Sequence, residues 1–324
     1  MVGIKNNFIV TIYFFIYKYS VFDFFHIYWL YHYLFYKDKL KKYSQLLRLE
    51  QPVGFFLLML PCFWGVLAAS NSYQHLWSNI YLFFIFAIGS IVMRSAGCII
   101  NDFFDKDLDK HVSRTSQRPL ASGAISSFEA IIIFSILNLI GLTILLSLNM
   151  LAIIIGLISF VLFIFYPLMK RITYWPQLFL GVTFNIGCLI GYATVENQLN
   201  TQIMLLYLAG VFWTLGYDTI YAHQDREDDL NIGIKSTAIL FGDNTKQWII
   251  IFYSLMALCL VLFGLLHDQN IYFFISLIFV VAHLFYQIKR LDVDNKSKCL
   301  RIFKSNQYLG LIVALTLFIG ILYL

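Results

Sequence analysis

The chain has 324 residues, of which 60% are hydrophobic and 13% charged, with a formal net charge of +5 and a mean hydropathy of +0.75. That balance excludes a soluble globular domain and calls for a protein that crosses a membrane several times. Cys62, Cys98, Cys188, Cys259 and Cys299 sit at no metal-ligand or disulfide spacing, and no two histidines pair as HxxxH, so zinc and redox chemistry are not expected.

In chain order, residues 8–36 come first: rich in Phe, Tyr and Ile, but interrupted by Lys18 and Asp23. They read as an aromatic helix lying in the membrane interface, with residues 1–44 set apart from a transmembrane domain over 45–324. They match neither a cleaved signal peptide nor an Arg- and Ser-rich transit sequence. Nine apolar windows of spanning length follow, near 53–70, 77–100, 128–147, 150–166, 176–194, 204–222, 248–266, 271–288 and 306–324. An all-α, polytopic membrane protein of nine transmembrane helices is therefore expected. Charge inside these windows is confined to Arg94, Glu129 and Asp218, and ionisable groups at such depth are functional candidates. Apart from Arg94, the basic residues fall before the first window or in the even-numbered connections. That side then faces the cytoplasm or the equivalent compartment of an organelle. A bacterial inner membrane is the expected location, with a mitochondrial inner membrane as the alternative.

The connection after the second window begins NDFFDKDLDK, placing Asp102, Asp105, Asp107 and Asp109 at the end of a hydrocarbon-like run. At about 100° per residue, Asn101, Asp102, Asp105 and Asp109 share one helical face, and Asp107 points elsewhere. After the sixth window, GYDTIYAHQDREDD places Asp218, Asp225 and Asp229 on one face of a second helix. Two acidic faces thus emerge at the same side of the membrane. Oxygen ligands without His or Cys suit a hard cation, and Mg²⁺ held by a few carboxylates completes its shell with water and phosphate oxygens. The positive charge expected among these carboxylates is Mg²⁺ carrying a diphosphate. Arg114 and Arg118 follow the first cluster, Lys170 and Arg171 the fourth window and Lys235 the second cluster, and all five are candidates to hold that diphosphate. A cation-coupled transporter is the rival of another class, but its site should lie near the midplane on repeat-related broken helices. No inverted repeat is visible.

Several stretches carry a resemblance. Asn101 to Asp109 as NDxxDxxxD, followed by Arg114 to Gly123 as RTxxRPLxSG, resembles the first signature of the UbiA-type intramembrane prenyltransferases. Tyr217 to Asp229 as YDTxYAxQDxxDD, with GIKSTAILFG after it, is similar to the second signature of the branch that prenylates 4-hydroxybenzoate in ubiquinone biosynthesis. RLEQPVGFFLLMLP from Arg48, RSAGCIIND from Arg94 and YPLMKRITYWPQLFLG from Tyr166 extend the match over residues 45 to 324.

This resemblance implies nine helices around a central cavity, a lateral opening for a lipid tail, and both acidic motifs at the mouth. The implied reaction is Mg²⁺-dependent transfer of a polyprenyl chain from polyprenyl diphosphate to 4-hydroxybenzoate. A sister branch with another acceptor is the alternative. Metal ligands would be Asn101, Asp102, Asp105, Asp109, Asp225 and Asp229, with Lys170 and Arg114 neutralising the diphosphate. Tyr166 and Tyr217 would face the allylic cation, and Asp218 would orient a basic side chain or assist proton loss. The acceptor's carboxylate needs a cation, for which Arg48 is the first candidate and Arg94 the second. Membrane lipid is an expected partner and nucleic acid is not.

Overall fold

The computed structural model describes residues 37–112 and 114–322, so the aromatic segment over 8–36 lies outside the described residues. The chain divides into Met1–Gln45 and Leu46–Leu324, and all elements named below belong to the second unit. Among the described residues nine long helices follow one another: α1 Val53–Ala69, α2 Tyr81–Asp109, α3 Ser127–Leu146, α4 Met150–Phe165, α5 Pro176–Glu196, α6 Thr201–Ala222, α7 Thr245–Leu266, α8 Ile271–Arg290 and α9 Lys296–Leu322. Eight are long and apolar enough to cross a membrane. The remaining one, α1, has 17 residues, about 25 Å, at the lower limit for a span.

Local chemistry sets the ends of these helices. Asn149, Asn200 and Asn270 cap the N-termini of α4, α6 and α8, each accepting a backbone N–H with its side chain. Pro176 starts α5, where its missing N–H costs nothing, and Asn197 ends it in the left-handed conformation at φ 50°. Glu129 closes a capping box with Ser126 at the start of α3. Its place inside an apolar window is thus explained by helix capping at the membrane edge, and it is not an intramembrane functional group.

The interior forms where helices approach closely. A Cβ on Gly65 would lie 2.0 Å from the Cys188 carbonyl oxygen, and one on Gly191 would lie 2.3 Å from that of Cys62, so α1 and α5 touch through backbone. On the opposite side a fully buried polar network ties four helices: Tyr253 Oη donates to Gln287 Oε1 at 2.6 Å, and Trp213 Nε1 and Gln287 Nε2 both donate to Asn306 Oδ1, at 2.8 and 3.1 Å. The strong donors of this network all have acceptors, as a low-dielectric interior demands. By contrast α3 and α4 turn large apolar side chains outward, among them Phe128, Leu139, Leu146, Ile158 and Val161. Those faces suit hydrocarbon.

Two differences from the windows read in the sequence matter for the site. Helix α2 runs 29 residues, about 43 Å, so its Asp-rich end projects beyond a hydrocarbon core of about 30 Å. The second acidic run is not one helix: α6 stops at Ala222, and Gln224 and Asp225 donate their N–H groups to carbonyls three residues back before a short helix begins at Arg226. The buried His223, pushed down to about 4 by burial and hence neutral, bonds Thr245 at the head of α7 and pins this break. Asp218 therefore does not share a helical face with Asp225 and Asp229.

Candidate active site

Helix α2 sorts its carboxylates by side. Asp102 and Asp105 are each 1% exposed and Asp109 is buried with them, while Asp107 turns out to solvent, 87% exposed at its side chain, and pairs only with Lys110 at 2.7 Å. The inward three are met by cations from separate parts of the chain. Arg48 donates to both oxygens of Asp102 at 2.9 Å. Arg118 joins Asp102 at 3.1 Å to Asp109 at 2.8 Å. Lys170, carried by the turn after α4, forms an ion pair with Asp105. Arg114 reaches across to the second motif, its Nε donating to Asp225 at 2.7 Å, its Nη1 to Tyr221 Oη at 3.3 Å, and its guanidinium lying over the Tyr221 ring. One ion pair thereby brings the two motifs together.

Asp229 faces this cluster from the short helix Arg226–Ile232. Burial, and then the charge of Asp225, push its carboxyl up to about 7, while Lys170 and Arg114 act against that rise. Lys170 therefore acts on a carboxylate of each motif. Two of the predicted phosphate ligands are engaged with backbone. Arg171 donates to the Phe104 carbonyl at 2.6 Å and also pairs with Asp105 Oδ1 at 3.7 Å, and Lys235 donates to the Ile172 carbonyl at 3.0 Å while lying over the Tyr174 ring. The Lys235 N–H also donates to the Lys170 carbonyl, so this strap holds the turn that carries Lys170.

Arg48 is placed differently from the first candidate for an acceptor carboxylate. Its backbone has φ 55°, a conformation costing roughly 1 kcal/mol for a residue with a Cβ, and its side chain is spent on both oxygens of Asp102. It clamps the entry of α1 to α2. Arg94 has the opposite setting. Among the described residues it makes no ion pair, its Nε is buried without an acceptor, and its guanidinium lies 5.7 Å from the Phe184 ring.

A cavity of about 410 Å³ opens beside Arg94 between α1, α2, α3, α4 and α5. Its walls are almost wholly apolar, with Phe86, Leu142, Leu145 and Phe163 along its length, and Tyr166 and Arg94 share its charged end. Tyr217 is 1% exposed and sealed between Trp213 and Phe303, whereas Asp218, next along α6, is half-buried. Sequence reasoning missed Tyr221, Phe184 and Gly54. A Cβ on Gly54 would lie 2.5 Å from Arg94 Nε, so only glycine leaves room for that guanidinium. Tyr221 and Gly54 stand inside quoted motifs, a signal that could have found them; Phe184 carries none.

Do these residues suit Mg²⁺? The donors are all oxygens, and Asp105 Oδ1 is buried without a hydrogen bond, an acceptor with a free lone pair inside the cluster. No three His, Cys, Asp or Glu side chains converge on one point among the described residues. A cation here takes few protein ligands and draws the rest from phosphate and water, as Mg²⁺ does. The donor set fits.

A model of the UbiA prenyltransferase family matches residues 58–323. The chain is 46% identical over 283 residues to a mitochondrial 4-hydroxybenzoate polyprenyltransferase of Drosophila melanogaster, covering 87% of this chain and 72% of that one. It is equally 46% identical to the human protein of that description, covering 87% and 76%. Among solved structures, a UbiA homologue from Archaeoglobus fulgidus bound to GPP and Mg²⁺ superposes with a TM-score of 0.66 at 20% identity, over 86% of this chain and 98% of the other. One from Aeropyrum pernix K1 does so with a TM-score of 0.66, over 83% and 96%. The bacterial inner membrane expected from the sequence is not borne out, because these curated relatives carry mitochondrial names. The lysine- and arginine-rich connections fit either membrane, since the positive-inside rule reads only which side is charged. With its two acidic motifs joined through the Arg114–Asp225 ion pair, and with matches over most of its length, the chain belongs to the UbiA prenyltransferase family.

Proposed function

We propose that this protein transfers a polyprenyl chain from polyprenyl diphosphate to the ring carbon ortho to the hydroxyl of 4-hydroxybenzoate. It does so with Mg²⁺, in ubiquinone biosynthesis, in the mitochondrial inner membrane. One observation carries the reading: Arg94, which makes no ion pair among the described residues, lines an apolar cavity on the same helix that carries the first acidic motif.

The diphosphate sits among Lys170, Arg114 and the two acidic motifs, and its tail runs down the cavity between α2 and α4. Mg²⁺ held by Asn101, Asp105 and Asp109 on one side and by Asp225 and Asp229 on the other would neutralise the diphosphate and make it a leaving group. Asp102, bonded by Arg48 and Arg118, is the sixth candidate ligand and also fixes the base of the cluster. As the allylic C–O bond breaks, its electron pair leaves with the diphosphate toward Lys170 and Arg114, fixed charges that need no reorganisation. Tyr166, at the head of the cavity, offers its ring to the allylic cation, an interaction worth up to about 2 kcal/mol once water is excluded. Tyr217, wedged among Trp213 and Phe303, supports that wall.

The acceptor's carboxylate pairs with Arg94, which removes the cost of an unpaired buried cation. The ring then lies toward Tyr166, its ortho carbon attacks, and Asp218 receives the proton that the ring loses. Gly54→Ala is expected to push the Arg94 guanidinium aside. Steady-state kinetics should show a roughly tenfold higher apparent KM for 4-hydroxybenzoate, with that for the donor unchanged.

Membranes containing the protein, supplied with Mg²⁺, labelled 4-hydroxybenzoate and a polyprenyl diphosphate, should yield a lipid-soluble labelled product. Product with a different aromatic acceptor but none with hydroxybenzoate would move the protein to a sister branch. EDTA is expected to abolish turnover, and Mg²⁺ or Mn²⁺ to restore it where Zn²⁺ alone does not. Full turnover in exhaustively chelated membranes would sink the metal-assisted mechanism.

A further inference from the structure

The turn between α8 and α9 is crowded with basic residues: Lys289, Arg290, Lys296, Lys298, Arg301 and Lys304. Two are committed, Lys296 to Glu227 at 3.1 Å and Lys298 to Asp292 at 2.9 Å. The pair with Glu227 also sets the level, since Glu227 belongs to the short helix of the second acidic motif. The other four are exposed and make no ion pair among the described residues.

Helical spacing arranges three of them, Arg290, Arg301 and Lys304, above exposed apolar surface. On α9, Arg301, Lys304 and Tyr308 follow one another at i, i+3 and i+7, and Leu311 and Leu315 continue the same face toward the bilayer centre. Tyr308 and Leu315 are each 58% exposed. On α8, Arg290 stands one turn beyond Tyr286, which is 51% exposed, and three turns beyond Phe279, 64% exposed. Each helix thus presents cation, tyrosine and hydrocarbon in that order, matching the depth profile of a phospholipid.

The two faces meet at a seam where His283 Nε2 and Ser305 Oγ lie 3.4 Å apart, with the His283 ring against Tyr286. Arg290 lies seven residues from His283 toward the charged surface, about 10 Å, on the same side of α8. Arg301 lies one turn from Ser305 in the same direction, about 6 Å. Because α8 and α9 run antiparallel, both guanidinium groups stand over one seam, within reach of one phosphate. Positive-inside placement asks for charge at this level; it does not ask for cations without an ion pair among the described residues to converge from two helices over a seam with an exposed tyrosine on each helix.

We propose that this seam binds an anionic phospholipid of the bilayer. Arg290, Arg301 and Lys304 hold its phosphate, with Arg able to bond two oxygens at once. Tyr286 and Tyr308 take the ester region, and the acyl chains lie along the apolar faces below. The site is separate from the prenyl-transfer chemistry, and its test does not read turnover.

The full chain, purified into phosphatidylcholine bilayers with or without phosphatidylglycerol, would be assayed by native mass spectrometry for retained lipid and by thermal unfolding. The wild type should retain phosphatidylglycerol in preference to phosphatidylcholine and unfold at a higher temperature with it. The double variant Arg290→Gln/Arg301→Gln should bind it roughly thirtyfold more weakly, from about fivefold per cation near the surface. Lys296→Gln/Lys298→Gln removes the same formal charge from already paired lysines and should change binding less than about twofold. Equal losses in both double variants would reduce the effect to net charge and overturn the site, as would a wild type that shows no preference for the anionic lipid. If Arg290→Gln/Arg301→Gln fails to accumulate, Arg301→Gln against Lys298→Gln makes the same comparison, with about a fivefold loss expected for the first alone.

Discussion

Arg94→Gln is expected to raise the apparent KM for 4-hydroxybenzoate by roughly ten- to a hundredfold while leaving the KM for polyprenyl diphosphate near its original value. The range follows from losing a charge-assisted hydrogen bond worth about 1.5–3 kcal/mol. The direction follows from the structure, in which this guanidinium makes no ion pair among the described residues, has an Nε without an acceptor, and lines the cavity. Arg48→Ala makes the contrast. Its loss leaves Asp102, 1% exposed, with only Arg118 as partner and releases the turn into α1. Lower yield and a lower unfolding temperature are expected, without an acceptor-specific change in KM, because breaking a buried pair by one partner destabilises by about 3–5 kcal/mol. An acceptor effect at Arg48 and none at Arg94 would reverse the assignment.

The second large effect separates two aspartates only two residues apart. Asp105→Ala should cut turnover by a hundredfold to a thousandfold or more, the scale on which one fixed electrostatic group contributes to a transition state. Asp107→Ala should stay within about twofold, since an exposed side chain paired only with a surface lysine contributes little. Both variants should be compared per unit of folded protein, measured by size-exclusion chromatography in detergent. Asp105 also holds Lys170, so its loss disturbs two charges at once, and Asp105→Asn, which preserves shape, should be nearly as inactive. Comparable losses at Asp105 and Asp107 would mean that the buried face of α2 is not where the chemistry takes place.

Much of this was legible in the residues alone. Hydrocarbon length fixes helices one at a time, because each span must satisfy its own backbone inside the bilayer, so the number and order of the helices followed from nine apolar windows. The inward set Asp102, Asp105 and Asp109 and the outward Asp107 followed from helical geometry, which is also local. Other features were not local. Asp218, Asp225 and Asp229 looked like one face because nothing in their spacing announces the break after Ala222, which His223 holds by bonding to Thr245 on another helix.

Which arginine pairs with which carboxylate was the widest gap. Arg48 and Arg94 are both single cations beside apolar runs, equally suited on paper to a ligand's carboxylate. Only the packing of α1 against α2 brings Arg48 onto Asp102 and leaves Arg94, beneath Gly54 and beside Phe184, without a partner. Lys235 and Arg171 were expected to hold phosphate and are found on backbone carbonyls, because the folded turns bring Ile172 and Phe104 within their reach. The sequence by itself determined the membrane class, the helices and the residue types at the mouth, all of which depend on contacts within a few residues. The pairing of the charges was decided by tertiary structure, because in a low-dielectric interior an ion pair forms with whichever opposite charge the packing places within about 4 Å, however far away it lies along the chain.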